Sequence, residues 1–197
     1  DLFEFQRKIH GGAASGAEIV SSSLGGYNRV RKTEVGGKVS LGERVNLGQR
    51  DLYLVIGDTG KKADTATAVR KVREAWTRDP VTYEMWFGAI GGLVGVEERL
   101  IKEGDVERLG QAMNINHTIL LNRLDVSDSD LEQLIHISKT NGEALGAKLS
   151  GGGMGGAMIA LARDPGHQER IAEAIRVNRI PNTDYKIGNI YDDRVEL

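Results

Sequence analysis

The segment GAKLSGGGMGGAMIALA, residues 146–162, places five glycines among the six residues 151–156, between two apolar runs. Short apolar runs on either side of such a segment predict two strands joined by a glycine loop. Glycine tolerates positive φ and has no Cβ atom, so consecutive N–H groups can converge on an anion, and a ligand or a neighbouring loop can approach the backbone closely. We interpret the loop as functional; the alternative is a flexible hairpin tip.

Two common glycine motifs do not account for this loop. Gly151, Gly153 and Gly156 fit G-x-G-x-x-G, but the dinucleotide fingerprint requires a helix after the glycines, and here an apolar strand follows. The glycine-rich hairpin of protein kinases suits the strand context better, yet the chain has no V-A-I-K, H-R-D or D-F-G segment. A more general anion-binding or close-contact role remains.

Composition excludes several classes of function. The 197 residues carry a formal net charge of −2, which gives no reason to expect a nucleic-acid or anionic-membrane partner. Without cysteine there are no disulfides or thiolate metal sites, and the four histidines are scattered. No apolar run reaches the roughly 18 residues of a membrane span, and the start resembles no signal peptide. These features predict a cytoplasmic protein.

The hydrophobic pattern predicts an α+β fold. Residues 25–48 alternate and break at Gly-Gly pairs, as short antiparallel strands do. From 51 onward we expect a buried strand, several amphipathic helices, the glycine hairpin, a helix after Pro165 and a closing strand, with the helices on one face of an antiparallel sheet. This division predicts two domains, 1–50 and 51–197. The start, DLFEFQRKI, suggests a longer polypeptide or a trimmed chain.

Two further stretches could carry chemistry. Glu18 follows a small-residue turn where a helix should begin, so it is either a base or a solvated residue favoured by the helix dipole. Asp58 and Thr59 end the strand LYLVIGD, where α/β proteins often bind ligands; the alternative is a capped turn. His117 and His136 lie in apolar helical patterns and are expected to be satisfied core or groove-side histidines rather than ligands.

Taken in order, these stretches resemble the mevalonate kinases of the GHMP kinase superfamily. GAKLSGGGMGGAMIAL is similar to that family's third motif, K-[LMI]-[ST]-G-[AG]-G-x-G-G, and HGGAASGAEIVSSSLGGYNRV resembles its H-G-x-x-S-G-x-D stretch. VIGDTGKK matches the I-x-D-T-G strand end, and LGQAMNINHTILLNRL looks like the M-N-x-N-x-x-L-L helix. The resemblance spans residues 8–162 and is closest to the archaeal type.

The resemblance implies the end of an S5-like domain followed by a ferredoxin-like α/β sandwich. It also implies ATP- and Mg²⁺-dependent phosphorylation of the C5 hydroxyl of mevalonate by a homodimer. Glu18 would be the catalytic carboxylate, and Gly151, Gly152, Gly153, Gly155 and Gly156 would border ATP. The substrate-binding residues would be His10, Ser15, Gly16, Asp58 and Thr59. No residue of this chain is assigned as a metal ligand.

Two departures from the family pattern qualify this expectation. Glu18 stands where the family has aspartate, and one extra methylene displaces a carboxylate by about an ångström, enough to cost on the order of 100-fold in rate. The family's lysine-bearing strand and P-x-x-x-G-L-G-S-S phosphate loop would both precede residue 1. We therefore expect activity only with an N-terminal segment, covalent or as a second chain. The alternatives are a non-catalytic sensor or interaction module, and a kinase of phosphomevalonate, homoserine or galactose.

Overall fold

The computed structural model describes residues 17–24, 27–35, 38–44, 51–178 and 186–190. Contacts divide the chain into two compact units, Asp1–Gln49 and Arg50–Leu197. Among the described residues, no helix is both long enough and apolar enough to cross a membrane.

The first unit contains a helix and a two-stranded antiparallel sheet. Helix α1 is Ala17–Leu24, and it packs on strands β1, Asn28–Val35, and β2, Lys38–Arg44. The register pairs Val35 with Lys38 and shifts at an irregularity between Arg29 and Lys32. The alternation within residues 25–48 therefore predicted the antiparallel pairing correctly.

The second unit is built on a four-stranded antiparallel sheet. In sheet order, its strands are β4 (Gly146–Ser150), β5 (Ala157–Ala162), β3 (Tyr53–Asp58) and β6 (Lys186–Ile190). In chain order, several helices separate β3 from β4, the glycine hairpin joins β4 to β5, and one helix leads to β6. This is the split β-α-β-β-α-β arrangement of a ferredoxin-like sandwich, with its first crossover expanded.

The described part of the second unit also contains five helices. They are α2 (Thr65–Arg78), α3 (Pro80–Glu103), α4 (Val106–Asn122), α5 (Ser129–Thr140) and α6 (Pro165–Asn178). Local sequence sets their boundaries: the Asp79 side chain caps α3 and Pro80 occupies its first turn, while Gly104 adopts a left-handed conformation at its end. Helix α5 is capped by Asp128, whose carboxylate accepts from the amides of Asp130 and Leu131.

The main core lies between the sheet and helices α5 and α6. Its fully buried members include Val55, Met158, Ala160, Leu134 and Ile171. Their alternation along β3 and β5 places these strand residues on a single face, as the period of two requires.

A smaller apolar cluster lies on the opposite face of the sheet. Leu161, whose side chain points away from Ala160, packs there with Leu100 of α3 and with Leu109 and Met113 of α4. We expected helices on one face; the structure shows that α3 and α4 also cover part of the other. The apolar stripes of these helices gave no indication of which face each would contact.

Candidate functional site

The glycine loop has a backbone that few other residues could adopt. Gly151, Gly153, Gly155 and Gly156 have φ values of 83°, 80°, 103° and 78°. Met154 is also left-handed, at 53°. L-residues lose roughly 1–2 kcal/mol in this region, whereas glycine does not. The loop therefore requires glycine for its conformation, before any contact is considered.

Close approach to this loop comes from other parts of the second unit. A Cβ atom added to Gly152 would lie 2.6 Å from Thr65 Oγ1, and one added to Gly153 would lie 2.0 Å from the carbonyl oxygen of Val126. At Gly155 the nearest atom is the carbonyl oxygen of Lys62, at 3.2 Å. Crowding at these glycines is thus explained by neighbouring loops and by the first residue of α2.

Gly151 differs from the other glycines of the loop. It is exposed, and no described atom lies within 4 Å of a Cβ added to it. At this position it is the positive φ of the backbone that favours glycine.

The segment after β3 is hydrogen-bonded along the glycine loop. The amide and the hydroxyl of Thr59 both donate to the carbonyl oxygen of Gly156, at 2.9 and 2.8 Å. Gly156 N donates to Lys61 O at 2.9 Å, and Asp64 N donates to Met154 O at 3.1 Å. The D-T-G segment and the glycine loop, far apart in sequence, therefore form one rigid edge of the unit.

Thr59 is 2% exposed, and its hydroxyl also accepts from Lys61 N at 3.3 Å. That hydroxyl is therefore engaged in holding the segment. Asp58 is partly exposed, and its Oδ1 accepts from Gly60 N at 2.8 Å in a tight turn. The remaining oxygen capacity of the Asp58 carboxylate makes it better suited than Thr59 to contact a ligand.

The linker between α4 and α5 supports the other side of the loop. Met154 N donates to Val126 O at 2.8 Å, and Lys71 of α2 donates to Asp125 O at 2.9 Å while pairing with the Asp125 carboxylate. Lys61 pairs with the carboxylate of Asp130 in the first turn of α5. The loop is thus held from both sides by backbone hydrogen bonds, and the ion pairs tie together the segments beside it.

The structure brings part of the predicted site together. Asp58 and Thr59 adjoin Gly156 in the second unit, as described above. Glu18 lies in α1 of the first unit. Three predicted residues, His10, Ser15 and Gly16, lie outside the described residues. The roles assigned to all of these residues stay predictions.

An apolar cavity of about 380 Å³ borders Gly151 and Gly152. Its other walls come from α2, α3, the end of α4 and the linker that follows it, and include Val72, Trp76 and Leu124. Arg73 is the one charged residue in the lining. Such a lining suits a hydrocarbon body better than a triphosphate, so this cavity gives no support to phosphate binding by the loop.

Two partly buried charges escaped the sequence analysis. Burial lowers the pKa of Lys148 on β4, and the charge of Glu97 on α3 opposes that shift. Burial likewise raises the pKa of Glu97, against the charge of Lys148. A lysine inside an apolar strand was the available sequence signal, but its partner on α3 could be identified only from the tertiary structure.

The two helical histidines differ in environment. His117 is 7% exposed, its Nδ1 accepts from Leu149 N at 3.4 Å, and its Nε2 lies 3.0 Å from Glu132 Oε1, so it is a buried histidine, as expected. His136 is exposed, with its Nδ1 3.5 Å from the hydroxyl of Thr140, so of the two expected environments the core is excluded for it. It lies on the outer face of α5, between two residues, Ile135 and Ile137, that are buried.

Mg²⁺ would be expected to accompany ATP. Within the described ranges, no three His, Asp or Glu side chains are close enough together to hold a metal ion. No described residue is therefore assigned to the ion, and no chemical step is derived through it.

Comparison with known proteins agrees with this architecture. Residues 98–179, from α3 into α6, match the family model described as "GHMP kinases C terminal". Together with the four-stranded sheet, this match shows that the chain contains a GHMP kinase C-terminal domain of the α+β class, as the resemblance implied.

The most similar relatives include archaeal mevalonate kinases. The chain is 37% identical to that of Pyrococcus abyssi over 171 residues, covering 84% of this chain and 47% of the relative. It is 36% identical to that of Pyrococcus horikoshii over the same shares. The chain therefore spans about half the length of these relatives. Among solved structures, the L. major mevalonate kinase in complex with R-mevalonate aligns with a TM-score of 0.76 and 31% identity, over 90% of this chain and 52% of that one.

Proposed function

We propose that this chain forms the C-terminal half of an ATP-dependent kinase that phosphorylates the C5 hydroxyl of mevalonate, in isoprenoid precursor synthesis. The observation that carries the proposal is the hydrogen-bonded unit formed by the D-T-G segment and the glycine loop. Both motifs belong to the mevalonate kinase pattern, and their contact gives the sequence resemblance a structural basis. The mevalonate kinase names of the relatives support the same acceptor.

Phosphoryl transfer requires positioning and charge stabilisation more than covalent help from the protein. In the proposed reaction the acceptor oxygen attacks the γ-phosphorus, the bond to the ADP oxygen breaks, and a carboxylate takes the hydroxyl proton. Glu18 is the proposed proton acceptor, and Asp58 is proposed to orient the acceptor. Gly151, with open space beside it, is the position in the loop best suited to border ATP.

The chain is further proposed to need the family's lysine-bearing strand and phosphate loop, as an N-terminal segment in the same polypeptide or in a second chain. Its coverage of about half of each relative supports this requirement. ATP with Mg²⁺ and a homodimer are part of the same proposal and rest on the resemblance. A cytoplasmic location is also proposed, and it rests on the sequence features described above.

A coupled assay of ADP release tests the acceptor and the need for the segment. This chain should show no turnover alone and should turn over mevalonate once joined to the N-terminal segment of an archaeal relative. Phosphomevalonate, homoserine and galactose serve as competing acceptors. If the joined protein is folded by circular dichroism and turns over none of the four, the kinase proposal is wrong and the sensor alternative is favoured.

Glu18 is tested separately in the joined protein. If its carboxylate is displaced by the extra methylene, Glu18→Asp should raise kcat by up to about 100-fold with little change in the KM for ATP. Glu18→Gln, which has the same length but cannot accept the proton, should abolish turnover. An unchanged or lower kcat in Glu18→Asp would show that the site is fitted to glutamate.

A further inference from the structure

Strand β4, at the edge of the sheet, is paired on its outer side by side chains of a helix. Asn114 of α4 donates from Nδ2 to Leu145 O at 3.3 Å and accepts from Ala147 N at 3.2 Å. One helical turn further, His117 Nδ1 accepts from Leu149 N at 3.4 Å. These bonds satisfy alternate backbone groups, which is the pattern that a neighbouring strand would supply.

The helix reaches the strand because two glycines remove the intervening side chains. A Cβ atom added to Gly146 would lie 2.2 Å from Gly110 O, and one added to Gly110 would lie 2.5 Å from Leu145 O. Backbone contact at this point brings the short side chain of Asn114 within hydrogen-bonding distance of the strand. The contact also fixes the register between α4 and β4.

We propose that Asn114 and His117 are positioning residues: they replace a missing strand along β4, hold the glycine loop in place, and release it when His117 is protonated. Leu149 lies two residues before Gly151, so its amide bond restrains the strand as it enters the loop. Any effect of this release on catalysis rests on the proposed function. The hydrogen bonds along β4, and the loss of one of them when His117 is protonated, do not depend on it.

The bonding of His117 explains the sensitivity to protonation. Since Nδ1 accepts a hydrogen bond, the neutral ring carries its proton on Nε2, which lies 3.0 Å from Glu132 Oε1 on α5. Ser127 Oγ donates to the same carboxylate oxygen at 2.5 Å, which fixes its position. In the imidazolium both nitrogens carry protons, so Nδ1 can no longer accept from Leu149.

The charges around His117 favour different protonation states. Burial lowers the pKa of His117 from its ordinary 6.5; Glu132 opposes this shift, and Lys139 on α5 and Lys148 on β4 reinforce it. The charge of Glu97 on α3 raises the pKa of Lys148, against the effect of burial, and so favours the charged form of that lysine. Because the folded pKa lies below the unfolded one, the stabilisation by neutral His117 is present above about pH 6.5 and is lost as the pH falls toward the folded value.

Amide hydrogen exchange of the whole chain, followed by NMR, tests the proposal without any turnover. Between about pH 7.5 and pH 5, the protection factor of Leu149, corrected for intrinsic exchange, should fall by roughly five- to tenfold, the loss expected for one hydrogen bond. Val55, in the centre of the sheet, should keep its protection. The proposal is overturned if Leu149 keeps the same protection across this range or if Val55 loses as much.

Two variants test whether the imidazole of His117 causes the pH-dependent loss of protection at Leu149. His117→Gln offers an acceptor that does not titrate, so the pH dependence at Leu149 should disappear. His136→Gln, at an exposed histidine on α5, should behave like the parent chain. A fall that persists in His117→Gln contradicts the proposal. Should that variant not fold, ¹⁵N spectra of the parent chain decide: Nδ1 of His117 must be unprotonated at about pH 7.5, and a protonated Nδ1 overturns the assignment.

Discussion

Replacing Gly153 by alanine should destabilise the second unit far more than the same change at Gly151. Both residues have a left-handed backbone, with φ of 80° and 83°. They differ in the room available for a side chain. The new Cβ at 153 would lie 2.0 Å from Val126 O, whereas no described atom lies within 4 Å of a Cβ at 151. The pair therefore separates the cost of conformation from the cost of crowding.

The conformational cost is about 1–2 kcal/mol for either alanine. At 153 the Val126 carbonyl must also move away, which breaks its hydrogen bond from Met154 N, 2.8 Å long, at a further cost of about 1 kcal/mol. Crowding of the packed linker adds about 1–2 kcal/mol. We therefore expect a loss of about 3–5 kcal/mol for Gly153→Ala against about 1–2 kcal/mol for Gly151→Ala.

Urea unfolding of the two variants and the parent chain measures these values. Far-ultraviolet circular dichroism monitors the helices of the second unit, and equal slopes against urea would show that the same surface is exposed on unfolding. Equal losses for the two variants would refute the argument, because crowding by Val126 would then contribute nothing. A loss at Gly151 exceeding that at Gly153 would refute it more strongly.

Two further pairs of substitutions test the contacts that hold the site. Gly110→Ala should cost about 1–3 kcal/mol because its Cβ would meet the backbone of Leu145, whereas Gly91→Ala, with no described atom within 4 Å, should gain about 0.5–1 kcal/mol from helix propensity. Thermal unfolding compares them, and stabilisation by both alanines would contradict the close helix–strand contact. Thr59→Val should cost about 1–2 kcal/mol through its lost bond to Gly156 O, while Thr77→Val, whose hydroxyl bonds Arg73 O on an exposed helix face, should change stability by less than about 0.5 kcal/mol. Chemical denaturation distinguishes these values, and equal losses would show that burial of the Thr59 bond has no influence.

The sequence by itself determined the identity and order of the elements, because each depended on local patterns. Asp79-Pro80 fixed the boundary between α2 and α3, and alternation predicted the β1–β2 pairing. The glycine loop was located as the connection between two strands, and the family resemblance then gave the correct domain. Backbone propensity and short-range spacing were sufficient for these conclusions.

Tertiary structure alone decided what each motif contacts. The glycines were expected to accommodate a ligand or a neighbouring loop, and at Gly152, Gly153 and Gly155 the close neighbours are Thr65, Val126 and Lys62. The hydroxyl of Thr59 proved to be engaged within the fold, and the Asn114 and His117 side chains pair an edge strand. Nothing in local spacing encodes such partners, because residues that lie far apart in the chain meet only after the sheet has formed and α4 has packed against its edge.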